Sequence, residues 1–474
     1  MKRFLLLFSA LMLSCIALWA HDVEIDGIYY YLDEDDNTAW VTYRGDDPYS
    51  YIEYSGSITI PETITYYSQT YSVTSIGSFA FSSCSGLTSV TIPNSVTSIG
   101  YEAFSGCSGL TKVNYLGSVD KWMEIHFSDN YADPTYYANP TYYAKDLYIN
   151  NELLTDVKIT SANSIKFAAF YNCKSIKSVE IGESVTTIGS YAFKSCSGLT
   201  KVNYLGTVDK WVEIDFEDDY SNPTYYTKDL YINNELLTDV KITTADSIKD
   251  YAFNNCRSIK SVEIGKRVTS IGYEAFYGCY DLTSVIWNAK NYKDIKVYDE
   301  TPFYNIRSSI TSFTFGNEVE HIPAYLCYDM ENLKEVTIGN SVTSIGQYAF
   351  SGCYKLRKVT AYPTTAPNAY ESSFEHYNAY LYVPCDVYED YDLDDVFGNF
   401  EYIECIAAEE DEPVSITETL ADANITVSGS TISADADFSI YDTIGQNVTA
   451  FNGSLQPGVY LVSIENDIVK VMVH

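Results

Sequence analysis

A unit of 23 residues recurs along this chain, and the repeat constrains the fold more than any other feature of the sequence. Its clearest copies are VTSIGSFAFSSCSGLTSVTIPNS and VTSIGYEAFSGCSGLTKVNYLGS, and recognisable copies begin at Val73, Val96, Val185, Val268, Val319 and Val342. One such unit cannot bury its apolar residues alone, so neighbouring units must stack and share a core. The repeat therefore predicts a solenoid, a fold that commonly presents an extended binding surface.

Each unit has two halves with different patterns. The first reads LxxVxI, as in Leu87, Val90 and Ile92, which is typical of a leucine-rich-repeat strand with Val and Ile pointing inward. The second reads VxxIGxxAFxxC, in which Gly100 is expected to occupy a turn that needs permissive backbone angles. We expect a right-handed curved stack of short parallel strands with about 12 rungs. Its strands are expected near Ile58, Val90, Val113, Val157, Val179, Val202, Val240, Val262, Val285, Phe313, Val336 and Val359.

A larger duplication overlies the short repeat. Residues 112–189 recur at 201–272, and the second copy lacks six residues. Insertions near 119–150 and 208–233 are predicted to emerge as loops on one side of the solenoid. They carry the tyrosine pairs Tyr136–Tyr137, Tyr142–Tyr143 and Tyr225–Tyr226. Two interpretations stay open, because such rings either form an exposed binding edge or pack back on the solenoid to anchor the insertions.

The two ends of the chain depart from the repeat. Residues 1–20 combine a basic start with an apolar stretch and Ala20, the pattern of a cleaved secretory signal peptide. The stretch MLSC also resembles a weak lipobox, with lipidation at Cys15 as the alternative. The remaining organisation is a β-rich N-terminal cap (21–72), the solenoid (73–362), a C-terminal cap (363–406), an acidic linker (407–415) and a small β-sandwich domain (416–474).

Eleven cysteines fall into two main groups. Seven share one repeat position and are predicted to form a buried column of free thiols: Cys84, Cys107, Cys173, Cys196, Cys256, Cys279 and Cys353. Cys385 and Cys405 end two strand-like segments after the last repeat, and an exported compartment favours a disulfide between them. No CxxC spacing occurs, so no zinc site is predicted.

Charge and motif content narrow the functional classes. The formal net charge of −35 excludes nucleic acid as a favoured partner, since phosphate binding needs a basic surface. The acidic run Asp33–Asn37 lacks calcium-loop spacing, and neither a metal nor a cofactor is expected. The five histidines form no HExxH motif, and GxSxG and P-loop spacings are absent from the sequence. His126 is replaced by Asp215 in the duplicated copy, so we expect a protein without enzymatic activity.

The outward residues of the predicted strands are the leading candidates for ligand contacts, together with the tyrosine pairs. The strand candidates are Lys112, Asn114, Glu180, Lys201, Asn203 and Glu263. The expected partner is an extracellular protein or glycan whose identity the sequence does not give. A solvated sheet face without a ligand, a self-associating cell-surface scaffold and a glycan-binding protein are the alternatives.

Two stretches resemble known families. The phrase VTSIGxxAFxxCxxLTSVxIPxSVTSIG, over residues 73–362, resembles the BspA-like leucine-rich repeats of bacterial surface proteins. That resemblance implies a secreted or cell-surface protein that adheres to host matrix or mucin proteins or to other cells. The segments FSIYDTIGQNV, LQPGVYLVSI and VKVMV are similar to the C-terminal sorting domain of type IX secretion in the Bacteroidetes. This second resemblance implies contact with that secretion machinery, with attachment to the outer-membrane surface as a further option.

Overall fold

The computed structural model describes residues 21–45, 54–128 and 138–406, and short pieces of the C-terminal region: 426–428, 431–433, 438–441, 448–449, 452, 455, 458–464 and 467–473. The predicted signal peptide with Cys15, the pair Tyr136–Tyr137 and the predicted linker 407–415 lie outside these residues. The chain divides into two compact units, Met1–Ile406 and Ala407–His474. Within the described ranges, no helix has the length and apolar character needed to cross a membrane.

The N-terminal residues supply the first strands of the solenoid. The strands are β1 (Val23–Ile25), β2 (Ile28–Asp33), β3 (Thr38–Thr42), β4 (Gly56–Thr59), β5 (Thr63–Tyr66) and β6 (Gln69–Ile76). β1, β2 and β3 form an antiparallel meander, and β3 then pairs in parallel with β6. Because β6 runs into the first VTSI segment, the region before the repeats is continuous with the repeat stack.

The LxxVxI halves form what we call the first ladder, a succession of three sheets. Its first sheet joins β4 to β7 (Leu87–Ile92), β9 (Lys112–Tyr115), β11 (Leu147–Ile149) and β12 (Glu152–Leu153). The second contains β13 (Asp156–Ile159), β15 (Ser178–Ile181), β17 (Lys201–Tyr204), β19 (Tyr231–Ile232) and β20 (Glu235–Leu236). The third contains β21 (Asp239–Lys241), β23 (Ser261–Ile264), β25 (Ser284–Trp287), β26 (Ser312–Phe315), β28 (Glu335–Ile338), β30 (Lys358–Ala361), β32 (Tyr380–Pro384) and β33 (Tyr402–Ile406).

The VxxIG halves form the second ladder, which is built from two-residue strands. They are β8 (Ser98–Ile99), β10 (His126–Phe127), β14 (Ser164–Ile165), β16 (Thr187–Ile188), β18 (Asp215–Phe216), β22 (Ser247–Ile248), β24 (Ser270–Ile271), β27 (His321–Ile322), β29 (Ser344–Ile345) and β31 (Asn368–Ala369). The helices are short: α1 (Val119–Met123), α2 (Thr141–Ala144), α3 (Val208–Trp211), α4 (Thr224–Thr227) and α5 (Tyr388–Asp392). Pairing along both ladders is parallel except in the hairpins β11–β12 and β19–β20, which gives the parallel leucine-rich-repeat solenoid that the sequence predicts.

The predicted loop character is wrong for the described residues of the two insertions (119–128, 138–150 and 208–233), because these residues build an enlarged rung in each case. Asn114 has Tyr148 as its register partner, 34 residues on, and Asn203 has Tyr231, 28 residues on. In each case the inserted segment contributes one strand to the first ladder and one to the second. Trp122 and Trp211 fill the extra interior volume, and each indole N–H donates to a carbonyl of the following rung, at 2.8 and 2.7 Å.

Two kinds of contact between neighbouring rungs recur in the interior of the stack. The repeat phenylalanines stack between rungs, as Phe81 does on Phe104 with ring centroids 5.0 Å apart. Beside them the Cys107 thiol donates to the carbonyl of Phe81 at 3.1 Å, and Cys196 and Cys279 make the equivalent bond at 3.0 and 3.1 Å. The cysteine column is therefore more than small apolar filling, because its thiols satisfy buried backbone carbonyls.

The seven cysteines of the column and Cys327, which takes a phenylalanine position of the repeat, are all buried thiols outside the disulfide: Cys84, Cys107, Cys173, Cys196, Cys256, Cys279, Cys327 and Cys353. Burial raises the pKa of Cys173 and of Cys256 to about 12. At the C-terminal end of the solenoid a disulfide joins Cys385 to Cys405, whose Cα atoms are 4.6 Å apart. It links the ends of the last two strands of the first ladder.

Gly100 does not have the role that the sequence suggests. It lacks a positive φ, and a Cβ at this position would collide with the backbone nitrogen of Ser78 in the preceding rung. The left-handed residue is instead two positions later, Glu102, with φ of 48°. The same position is left-handed in seven other rungs: Phe79, Ala168, Tyr191, Tyr251, Glu274, Tyr325 and Tyr348. Glycine is thus required here by the close approach of two backbones.

The strands described in the C-terminal unit form two separate sheets. A hairpin pairs β34 (Thr426–Ser428) with β35 (Thr431–Ser433). A three-stranded antiparallel sheet joins β36 (Phe438–Tyr441), β37 (Gly458–Ile464) and β38 (Asp467–Val473). The Asn452 side chain bonds both the N–H and the carbonyl of Ile432, which ties a turn to the hairpin.

We predict that Asp209→Asn destabilises the chain more than Asp120→Asn, its counterpart in the first copy of the duplication. The Asp209 carboxylate accepts the backbone N–H groups of Thr243, Thr244 and Ala245 at 2.8–3.0 Å. Asp120 accepts from Ser161, and its second oxygen has no partner in the described structure. Removing the Asp209 charge should lower the free energy of unfolding by about 1 kcal/mol, and urea denaturation measures this change.

The pH dependence of this difference follows from the pKa of Asp209. Burial raises that pKa, but hydrogen bonds from Ala245, Thr244 and Thr243 outweigh burial and lower it overall. Stabilisation by a carboxylate with a lowered pKa is present above about pH 4 and disappears as the pH falls through the folded-state pKa. If Asp209→Asn and Asp120→Asn lowered the free energy of unfolding equally at pH 7, the stabilising role of the Asp209 hydrogen bonds would be contradicted.

We also predict that the eight buried thiols do not react with Ellman's reagent in the folded protein at pH 8. Each is buried, and burial raises the pKa of the column members, so the reactive thiolate is scarce and inaccessible. Unfolding in guanidinium should release all eight. Rapid modification of any of them under native conditions would show that the rungs open locally.

Candidate functional site

The outward face of the first ladder carries most of the predicted ligand contacts. In strands such as Ser178–Ile181 the residues alternate between half-buried and buried, so Val179 and Ile181 face the core and Glu180 faces outward. Glu263 has the position of Glu180 in its own strand, and Lys112 and Lys201 occupy the half-buried outward position two residues earlier in theirs. Neighbouring rungs set opposite charges side by side, with Lys158 opposite Glu180 and Lys241 opposite Glu263 in register.

Two of the predicted contacts, Asn114 and Asn203, are corrected by the structure. Their side chains are only 2% and 3% exposed. Each carboxamide oxygen accepts a backbone N–H from a hairpin turn, Asn151 for Asn114 at 2.8 Å and Asn234 for Asn203 at 2.7 Å. These asparagines fasten the β11–β12 and β19–β20 hairpins and are covered by them, so they do not face a ligand.

Lysine and tyrosine form a recurring pair on this face. The Lys112 ammonium lies 4.6 Å from the ring centroid of Tyr148, and Lys201 lies 5.0 Å from that of Tyr231. Both pairs follow from the duplication, so the chain displays the same arrangement twice. A lysine held against an aromatic ring keeps its charge while its side chain loses mobility, which suits a contact surface. The hairpin beside each pair exposes a leucine, Leu153 or Leu236.

The described tyrosine pairs of the insertions pack against the solenoid and are half-buried. The Tyr143 hydroxyl accepts the backbone N–H of Gly106 at 2.9 Å, and Tyr226 accepts that of Ser195 at 2.5 Å. Tyr142 stacks on the Tyr171 ring with centroids 5.8 Å apart. These contacts favour the anchoring interpretation over a free binding edge for Tyr142, Tyr143, Tyr225 and Tyr226.

A polar cavity that sequence reasoning missed lies on the second ladder. His321 links two residues there: its Nε2 lies 2.7 Å from an Asp294 carboxylate oxygen and its Nδ1 lies 2.8 Å from Ser344 Oγ. The same Asp294 oxygen accepts the Ala324 N–H at 2.8 Å. Burial raises the pKa of Asp294, but its bonds to His321 and Ala324 outweigh burial and lower that pKa. The cavity has a volume of about 660 Å³.

The hydrogen-bonded row Asp294–His321–Ser344 has the residue types of a hydrolase triad, but several backbone donors beside it are already engaged. Acyl transfer requires free N–H groups aimed at a developing oxyanion. Three of the nearby backbone N–H groups are already used, since Ser344 donates to Glu320, Gly346 to Ile322 and Ala324 to Asp294. The arrangement therefore positions side chains at the cavity wall, and it offers a binding surface more readily than a catalytic one.

One feature of the sequence could have indicated this cavity, namely a rung that is longer than the 23-residue repeat. Val285 pairs with Phe313, a register partner 28 residues on, and the extra length brings Asp294 beside His321. The sequence shows the longer spacing, but contact between residues 27 positions apart depends on how the extra segment folds. In the described part of the chain, no cluster of His, Cys, Asp and Glu is arranged to hold a metal ion.

Comparison with known proteins identifies the repeat. A family model of the BspA type leucine rich repeat region, with six copies, matches residues 57–161, 141–222, 224–357 and 296–383. The chain belongs to this family. The resemblance of the repeats to the BspA-like family is thereby confirmed. Proteins of this repeat family are generally non-enzymatic binding proteins found at cell surfaces. No curated protein matches the chain.

Several solved structures are similar to this chain over much of its length. A leucine-rich repeat protein from Bacteroides ovatus is 21% identical, covering 72% of this chain and 95% of its own, with a TM-score of 0.41. A leucine rich cell surface protein from Faecalibacterium prausnitzii is 18% identical, covering 82% and 95%, with a TM-score of 0.29. The pneumococcal vaccine antigen PcpA is 16% identical, covering 81% and 96%, with a TM-score of 0.36. These likenesses concern the fold alone.

Proposed function

We propose that this chain is a secreted or surface-displayed binding protein of the adhesin type, without enzymatic activity. Its outward first-ladder face would contact host matrix or mucin proteins or other cells. The observation that carries the proposal is the duplicated Lys–Tyr pair, Lys112 with Tyr148 and Lys201 with Tyr231, on an exposed face with neighbouring acidic residues. A ligand with repeated epitopes would engage both copies, and binding at two linked sites strengthens attachment without new kinds of contact.

The proposed location rests on both ends of the sequence. Residues 1–20 would direct export and be removed, with lipidation at Cys15 as the alternative. The C-terminal unit would serve as the address for type IX secretion in a member of the Bacteroidetes, and it would either be removed or hold the protein at the outer-membrane surface. The antiparallel sheet of β36, β37 and β38 covers most of the residues on which that likeness depends.

We predict that the double variant Lys112→Ala/Lys201→Ala loses at least tenfold in affinity for an immobilised matrix glycoprotein or mucin that the full chain binds. Each substitution removes a positive charge and its contact with a tyrosine ring, and a tenfold change corresponds to about 1.4 kcal/mol. Either single variant should lose less, because one copy of the pair remains. Surface plasmon resonance gives the comparison.

The matched control is Lys121→Ala/Lys210→Ala. These lysines belong to the same duplicated block, and each forms an exposed ion pair one helical turn along, with Glu124 and Glu213. The control changes the net charge by the same amount outside the proposed face, and its affinity should stay at the level of the unmodified chain. If both double variants weaken binding equally, the loss of two positive charges explains the weaker binding, and the proposed face does not. If neither protein nor mucin binds and the chain self-associates in ultracentrifugation, the scaffold function replaces this one.

A further inference from the structure

We propose that the cavity lined by Asp294, His321, Gln347, Asn368 and Tyr370 binds a neutral hexopyranose unit of a glycan. The cavity lies on the second ladder, among residues that the proposed adhesin face does not use. The inference therefore goes beyond the proposed function, and it can hold or fail separately from it.

The cavity is built by the irregular rung and held open by fixed side chains. Asp294 lies beside β27, bonded both to His321 and to the Ala324 N–H. Ser344, which lies on the next rung, makes a hydrogen bond to the other ring nitrogen of His321. These residues are restrained before any ligand arrives, so binding need not order the wall. The volume of about 660 Å³ lies within the range of small-molecule sites.

The remaining polar groups of the lining are available for a ligand. The carboxamides of Gln347 and Asn368 are exposed, and neither has a side-chain hydrogen-bond partner among the described residues. A carboxamide offers both a donor and an acceptor within a few ångströms of each other. Neighbouring hydroxyl groups of a sugar ring present the complementary pair, since each hydroxyl donates and accepts. Because both carboxamides line the same cavity, each can contact hydroxyls of one bound sugar.

Aromatic rings supply the other half of sugar recognition. Tyr370 lines the cavity with 55% of its surface exposed, and Tyr325 forms part of the same wall. Tyr325 is braced by stacking on Tyr348, with ring centroids 5.0 Å apart. A pyranose ring has an apolar face made of C–H groups, which packs well on an exposed tyrosine. Because Tyr370 is largely exposed, the rest of a glycan chain can continue into solvent.

The charges of the lining indicate a neutral sugar. Asp294 and Lys296 contribute one charge of each sign, and the Asp294 carboxylate is already bonded to His321 and Ala324. An anionic sugar would bring its carboxylate near that of Asp294 in a strongly acidic protein, where like charges repel. The lining thus favours hydroxyl contacts over ion pairing.

The test is titration of the full chain with methyl β-galactopyranoside, methyl α-mannopyranoside and N-acetylglucosamine, with N-acetylneuraminic acid as the anionic comparison. Saturation-transfer NMR detects weak binding, and calorimetry gives affinities. We expect saturable binding of at least one neutral sugar. Gln347→Ala/Asn368→Ala should weaken it at least tenfold, Tyr370→Ala should abolish it, and Tyr370→Phe should retain it because the stacking face remains.

The variants separate this inference from the adhesin proposal. All three substituted residues are exposed, so melting temperatures should match that of the unmodified chain. Lys112→Ala/Lys201→Ala should leave sugar affinity unchanged, whatever it does to binding of a matrix glycoprotein or mucin. Absence of saturable binding of all three neutral sugars, preference for N-acetylneuraminic acid, or unaltered affinity in Gln347→Ala/Asn368→Ala would each overturn the assignment.

Discussion

The close stacking of one rung on the next is the constraint on which the rest of this structure depends. Strands of a sheet lie about 4.8 Å apart, so every interior group must fit that spacing. Gly100 meets it because its missing Cβ leaves room for the backbone of the preceding rung. The phenylalanine stack and the thiol-to-carbonyl bonds repeat at the same interval. Inward positions are fixed by this geometry, whereas outward positions are free to vary.

The interior, more than the hydrogen-bonded sheet, holds the solenoid together. The first ladder is interrupted twice, where the β11–β12 and β19–β20 hairpins end their sheets. The buried side chains nevertheless form one continuous hydrophobic cluster from Ile28 to Phe400. Trp122 and Trp211 carry packing across the interruptions and satisfy carbonyls of the next rung. A rung can therefore lengthen without breaking the core, provided that a large side chain fills the added space.

The periodic features of the fold could be predicted from the sequence, and the features that depend on departures from the period could not. The strand positions and the inward Val and Ile follow from the repeat alone. Asn114 and Asn203 were misassigned because outward alternation does not reveal a covering hairpin. The Asn150–Asn151 and Asn233–Asn234 pairs, all with positive φ, are typical of tight hairpin turns and were a usable signal. The Asp294–His321 contact depends on the path of an irregular segment that no period describes.

Arrangements that recur along the ladder and a gap beside one irregular rung give this molecule two different kinds of surface. The duplicated block repeats the Lys112 and Lys201 arrangements along the first ladder, each beside an enlarged rung. A repeated face gains strength by engaging many weak contacts at once. An irregular rung instead leaves a concave gap beside its neighbours, as Asp294 does next to β27, and a concave gap can surround one small group. A sugar-sized site therefore belongs beside a single irregular rung, while a broad protein contact belongs where an arrangement recurs along the ladder.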